Sequence, residues 1–212
     1  MPLSAKICGL STPATIDAAV AGGATHVGFV FFPPSPRDLS FEQAAALAAR
    51  IPDHVTRVGV FVDPDDETIA RAARAGRLSA IQLHGTVAAR VAHLRQLTRL
   101  KTWAAIPVKT RADLDAARSQ VGAADRLLFD AKTPADAALP GGMGVRFDWS
   151  LLDGFRSPLP WALSGGLDAA NVAEAVARTG ATLVDTSSGV EDAPGVKSVD
   201  KITTFLQSVA RL

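Results

Sequence analysis

The chain has 212 residues, with 22 Lys plus Arg against 21 Asp plus Glu, for a net charge of +1. That length suits a single domain with a sizeable core, and the balanced charge argues against electrostatic capture of nucleic acid or an anionic membrane. A lone cysteine, Cys8, excludes an internal disulfide, and with no apolar leader core at the start the expected setting is a reducing cytoplasm.

The longest uncharged stretch, 18–36, is interrupted by Gly22, Gly23, His26 and three prolines, so it does not read as a membrane helix. Short apolar runs rich in β-branched and aromatic residues recur along the chain. They predict strands near 5–9, 26–31, 57–62, 80–83, 101–105, 126–130, 161–164 and 182–186. The runs are continuously apolar rather than alternating, as in parallel sheets covered on both faces. Helical segments are expected over 15–21, 41–50, 66–75, 87–97, 111–119, 168–177 and 199–209. Ser40, Pro64-Asp65-Asp66 and Gly180 supply helix start and stop signals.

Eight strand–helix units of about 26 residues each leave room for the crossovers that parallel strands need. The first strand ends Cys8-Gly9-Leu10-Ser11, without the glycine-rich dinucleotide loop of an open doubly wound sheet. The expected fold is therefore α/β, a single (β/α)8 barrel spanning residues 1–212.

In such a barrel, function gathers at the C-terminal ends of the strands. Ser164-Gly165-Gly166-Leu167 and Ser187-Ser188-Gly189-Val190-Glu191 follow the seventh and eighth strands. Each alone reads as a tight turn. Together they read as a cradle whose backbone N–H groups approach a phosphate. Cys8 is either a small buried hydrophobe or, beside Lys6 and Gly9, a thiol of lowered pKa acting as a general base. Asp130 closes an apolar strand and is either a loop cap or an acid with a raised pKa. His84 is a structural histidine or a pocket residue. Arg37, in the stiff loop Pro33-Pro34-Ser35-Pro36, suits a substrate carboxylate or a surface ion pair. The glycines of Gly141-Gly142-Met143-Gly144 mark a loop that covers a ligand or a plain surface excursion.

Lys6-Ile7-Cys8-Gly9-Leu10 resembles the opening signature of phosphoribosylanthranilate isomerases. Gly28-Phe29-Val30-Phe31, Pro33-Pro34-Ser35-Pro36-Arg37, Val58-Gly59-Val60-Phe61-Val62, Gln82-Leu83-His84-Gly85 and Phe129-Asp130 continue that resemblance in order. So do Phe147-Asp148-Trp149, Gly165-Gly166-Leu167 and the run from Val184 to Glu191. Departures at Met143, Ser164 and Thr186 remove no group that the chemistry needs.

The resemblance implies Cys8 as general base and Asp130 as general acid in an Amadori rearrangement of N-(5-phosphoribosyl)anthranilate, a step of tryptophan biosynthesis. It implies Arg37 at the anthranilate carboxylate, and Gly165, Gly166, Ser187, Ser188 and Gly189 at the phosphate. His84 and Asp185 match positions lining the pocket. No cofactor or metal is called for. The expected partner is a phosphorylated small molecule, with neither nucleic acid nor membrane involved. Alanine-rich helices without an extended apolar patch point to a monomer. Two other readings compete: the two-phosphate isomerase of histidine biosynthesis, and a sugar-phosphate-binding regulator with Cys8 as a redox sensor.

Overall fold

The computed structural model describes residues 3–133 and 144–212. Eight parallel strands close a barrel in chain order: β1 (Ser4–Cys8), β2 (His26–Phe31), β3 (Thr56–Val62), β4 (Ala80–His84), β5 (Lys101–Val108), β6 (Arg126–Ala131), β7 (Trp161–Leu163) and β8 (Leu183–Thr186). Strand β1 pairs with both β2 and β8, which is the closure. Helices α1 (Pro13–Ala21), α2 (Phe41–Ala48), α3 (Asp66–Ala75), α4 (Ala88–Thr98), α5 (Ala116–Ser119), α6 (Val172–Thr179) and α7 (Val199–Ala210) lie along the chain between and after the strands. Among the described residues, no helix is long and apolar enough to cross a membrane.

The strand period of two sorts every strand into an outer and an inner row. Outward residues such as Ile7, Phe29, Phe61, Ile81, Leu83 and Phe129 join the large cluster shared with the helices. Each of the larger ones contributes roughly 2–3 kcal/mol by leaving water. Phe31 and Phe61 stack at 5.3 Å within that layer. Inward residues Val58, Ala80, Trp103, Leu128, Ala162 and Leu183 form a separate apolar plug. Two residues further on from four of these six, the inner row turns polar, at Gln82, Asp130, Ser164 and Asp185. A filled floor beneath a polar mouth makes the barrel a cup rather than a channel.

Helix starts follow local chemistry. Thr12 accepts from the Thr15 amide with Pro13 in the first turn, Ser40 and Gln43 form a capping box, and Asp65 accepts from the Thr68 amide at 2.6 Å. Other expectations needed correction. The fifth strand runs on through Ile106, Pro107 and Val108, beyond the expected end at 105. The expected helix over 111–119 is a 3₁₀ turn at Arg111–Asp115 followed by the single turn of α5. Residues 168–171 are a turn rather than helix, because the Asp168 carboxylate takes the amides of Ala170 and Asn171. A small hairpin of β9 (Glu191–Ala193) and β10 (Val196–Lys197), too short to leave a sequence pattern, precedes α7.

Candidate active site

The polar mouth of the cup holds a cleft enclosing about 800 Å³, its open entrance included. Cys8, Arg37, His84, Asp130, Gly165, Gly166, Asp185, Ser187 and Ser188 all line it. Nine of the ten residues singled out from the sequence thus share one cavity. Gly189 does not line it; it backs closely against the Leu167 carbonyl, where a side chain would collide. Gly141, Gly142 and Met143 of the expected covering loop lie outside the described residues, while Gly144 borders the cleft.

Asp130 sits at the end of β6, only 8% exposed, with one carboxylate oxygen taking the Ala131 amide at 2.9 Å. Burial, reinforced by the negative charge of Asp185, pushes its carboxyl up to about 7. Near neutral pH it therefore carries a proton it can donate. Cys8 lies in the same rim at the end of β1, in register with Gly28, whose missing side chain makes room for the sulfur. The expected lowering of the thiol pKa is not what the structure has. Burial pushes Cys8 up, outweighing the downward pull of Lys6.

Lys6 and Asp185 are partners in the β1–β8 register, and the ammonium donates to the Asp185 carboxylate at 2.9 Å. Both are buried. Ser164, at the mouth beyond β7, donates to the other Asp185 oxygen at 3.4 Å. His84 and Gln82 face each other along β4, their side-chain nitrogens 2.8 Å apart. Burial, assisted by the charge of Lys6, takes His84 down to about 4, so the ring is neutral. Among the described residues, the buried Gln82 amide oxygen has no hydrogen-bond partner.

Arg37 is neither exposed nor casual. Its Nε and Nη2 donate to the two oxygens of Glu191, each at 2.7 Å. Lys197 bridges the same carboxylate at 2.6 Å to the Ser187 carbonyl and hydroxyl at 2.9 and 3.0 Å. One buried chain of ions and hydrogen bonds therefore runs from the arginine to the loop after β8. That loop and the loop after β7 lie side by side at the mouth, because β7 and β8 are neighbours and the Thr186 hydroxyl donates to the Leu167 carbonyl at 2.6 Å. Gly165 and Gly166 have φ of +92° and +60°, in the left-handed region that favours glycine, and an added Cβ would press on Ala131 or on Gly144 and Arg146 respectively.

Gln82, Glu191 and Lys197 received no role from the sequence, and Lys6 only that of a neighbour of Cys8. Lys6 and Gln82 were within reach, since each lies two residues before a singled-out strand residue and so shares its face. Glu191 and Lys197 left no such signal, because only the hairpin brings them to Arg37. Among the described residues, no three of His, Cys, Asp or Glu are grouped as metal ligands would be.

Comparison with known proteins agrees with this geometry. The model of the N-(5'-phosphoribosyl)anthranilate (PRA) isomerase family matches residues 5–208. The N-(5'-phosphoribosyl)anthranilate isomerase of Zymomonas mobilis subsp. pomaceae is 54% identical, with all of both chains covered. Monomers derived from the dimeric phosphoribosylanthranilate isomerase of Thermotoga maritima superpose with a TM-score of 0.85 at 34% identity, covering 99% of this chain and 100% of that one. A phosphoribosyl anthranilate isomerase solved with reduced 1-(o-carboxyphenylamino)-1-deoxyribulose 5-phosphate gives 0.84 at 33% identity, with the same coverage. On this ordered match over nearly its whole length, the chain belongs to the phosphoribosylanthranilate isomerase family.

Proposed function

We propose that the barrel, working as one catalytic domain, converts N-(5-phosphoribosyl)anthranilate to 1-(2-carboxyphenylamino)-1-deoxyribulose 5-phosphate, with Asp130 as acid and Cys8 as base. The isomerase activity and its place in tryptophan biosynthesis come with the family; the assignment of residues is the proposal. The observation that carries it is the pairing, in one cleft, of a carboxyl protonated near neutrality with the chain's one thiol.

Asp130 protonates the ring oxygen as the C1–O bond breaks, leaving an iminium at C1. The Cys8 thiolate then takes the C2 proton, and the electrons of that C–H bond form the enolamine while neutralising the iminium. Tautomerisation gives the aminoketone. A positioned acid and base contribute typically about 10²–10⁴-fold each. Arg37, with its guanidinium oriented by Glu191, suits the anthranilate carboxylate. Gly165, Gly166, Ser187 and Ser188 suit the phosphate, with Gly189 setting the turn behind them. His84 and Asp185 line the sugar. Scattered exposed apolar side chains such as Val87 and Val121 support a monomer, and a single unpaired cysteine supports a cytoplasmic setting.

The test is turnover of N-(5-phosphoribosyl)anthranilate, followed by its fluorescence, in Cys8→Ala and Asp130→Asn. Both variants should bind the reduced product analogue and turn over orders of magnitude more slowly. Either one retaining activity within threefold of the wild type would remove that residue from the mechanism.

A further inference from the structure

Lys6 is wholly enclosed, at 0% exposure. It does not line the cleft, yet it lies two residues before Cys8 on β1 and so on the same inner face. Its ammonium is held by Asp185 at 2.9 Å, and its charge favours the ionised form of the Cys8 thiol. Replacing a buried ion pair with apolar residues of similar volume is often neutral or stabilising. A lysine at the centre of a barrel is therefore poorly explained by stability and better explained by the charge it supplies.

We propose that Lys6 positions the base electrostatically: its buried ammonium, anchored by Asp185, is the counter-charge of the Cys8 thiolate. This rests on Cys8 being the base. Three facts converge on it. The strand period brings Lys6 and Cys8 to one face, the β1–β8 register sets Asp185 opposite Lys6, and Gly28 leaves the sulfur space beside them. Asp185 holds the ammonium in place but opposes the thiolate with its own charge. Lys6 and Asp185 are thus expected to act on Cys8 with opposite signs. The other charged or titratable groups around the pair are Lys197 from β10, Asp130 from β6, and the imidazoles of His84 on β4 and His26 on β2.

Because Cys8 is the single thiol, its ionisation can be read directly from the pH dependence of iodoacetamide labelling of the intact protein. Lys6→Met should move that profile up by about one pH unit or more, so that labelling near neutrality slows by roughly tenfold, with kcat falling in parallel. Lys6→Arg should restore most of the profile. Asp185→Asn, nearly isosteric, should move the profile down, whatever it does to turnover. A lysine with a merely structural role would not produce opposite shifts. Unchanged profiles, or shifts in the same direction, would overturn the proposal. If Lys6→Met fails to fold, Asp185→Asn decides alone, and an unmoved profile there counts against it. An active Cys8→Ala enzyme would instead sink the base assignment itself, which keeps the two failures apart.

Discussion

Arg37 and Glu191, 154 residues apart in sequence, meet in a two-point fork, with both contacts at 2.7 Å and both side chains almost fully buried. Burial alone would push the Glu191 carboxyl up. Arg37 and Lys197 reverse that and hold it below the ordinary carboxylate range. Glu191→Leu would leave both cations without that carboxylate, at a cost of about 3–5 kcal/mol. Its Tm should fall at neutral pH and its KM should rise as Arg37 loses its orientation. A depressed carboxylate contributes stability above its unfolded pKa and loses it as pH falls through the folded value. The gap between variant and wild type should therefore narrow on acidification, as pH-dependent melts would show.

Asp130 gives the opposite sign. Its folded pKa of about 7 lies above the ordinary 3.8, so its contribution is intact in acid and is lost as pH rises through about 7. Asp130→Asn cannot ionise, and should be more stable than wild type at alkaline pH by on the order of 2–4 kcal/mol. In acid below the ordinary carboxylate range, the two should unfold alike. Urea denaturation at the two pH extremes measures this, and equal stability at both would mean Asp130 is not perturbed. The same ionisation predicts that kcat/KM declines on the alkaline side as the acid loses its proton, with apparent pKa values belonging to the coupled groups.

At Gly28 an added methyl would lie 2.8 Å from the Cys8 sulfur and 3.0 Å from its Cα. Something must shift, and the sulfur is the mobile end. Gly28→Ala should lower kcat by roughly 10–100-fold, since small misplacements of a reacting group cost that much. Binding of the reduced product analogue should change far less. A variant with lowered affinity and normal kcat would show that the strain is relieved elsewhere.

Gly166 combines φ of +60° with a Cβ position only 2.8 Å from the Gly144 carbonyl and 2.5 Å from Arg146 Cγ. Gly166→Ala should cost about 1–2 kcal/mol in stability from the left-handed backbone alone. Pushing Gly166 away from residues 144–146 should raise KM for the phosphorylated substrate more than it lowers kcat. Inorganic phosphate should compete less well against the same variant. Unchanged KM and unchanged phosphate inhibition would put the phosphate elsewhere.

The amino-acid sequence by itself determined the alternation of strand and helix, because continuous apolar runs such as Val58-Gly59-Val60-Phe61-Val62 can only be buried on both faces. It also placed Cys8, His84, Asp130 and Asp185 at strand ends, where a closed parallel barrel gathers them into one rim. Elements defined by local capping or by long periodicity, such as α3 and α7, were legible for the same reason. Tertiary structure alone decided what depends on neighbours distant in sequence. The direction of the Cys8 pKa reversed because burial exceeds the pull of one lysine, and burial is not a property of a local motif. Arg37 was readable as a carboxylate binder, but its anchoring by Glu191 and Lys197 required the β9–β10 hairpin to bring residues 191 and 197 back against the loop after β2. Strand period reports which face a side chain takes; the register across the barrel closure, Lys6 against Asp185, is set only when the first and last strands meet.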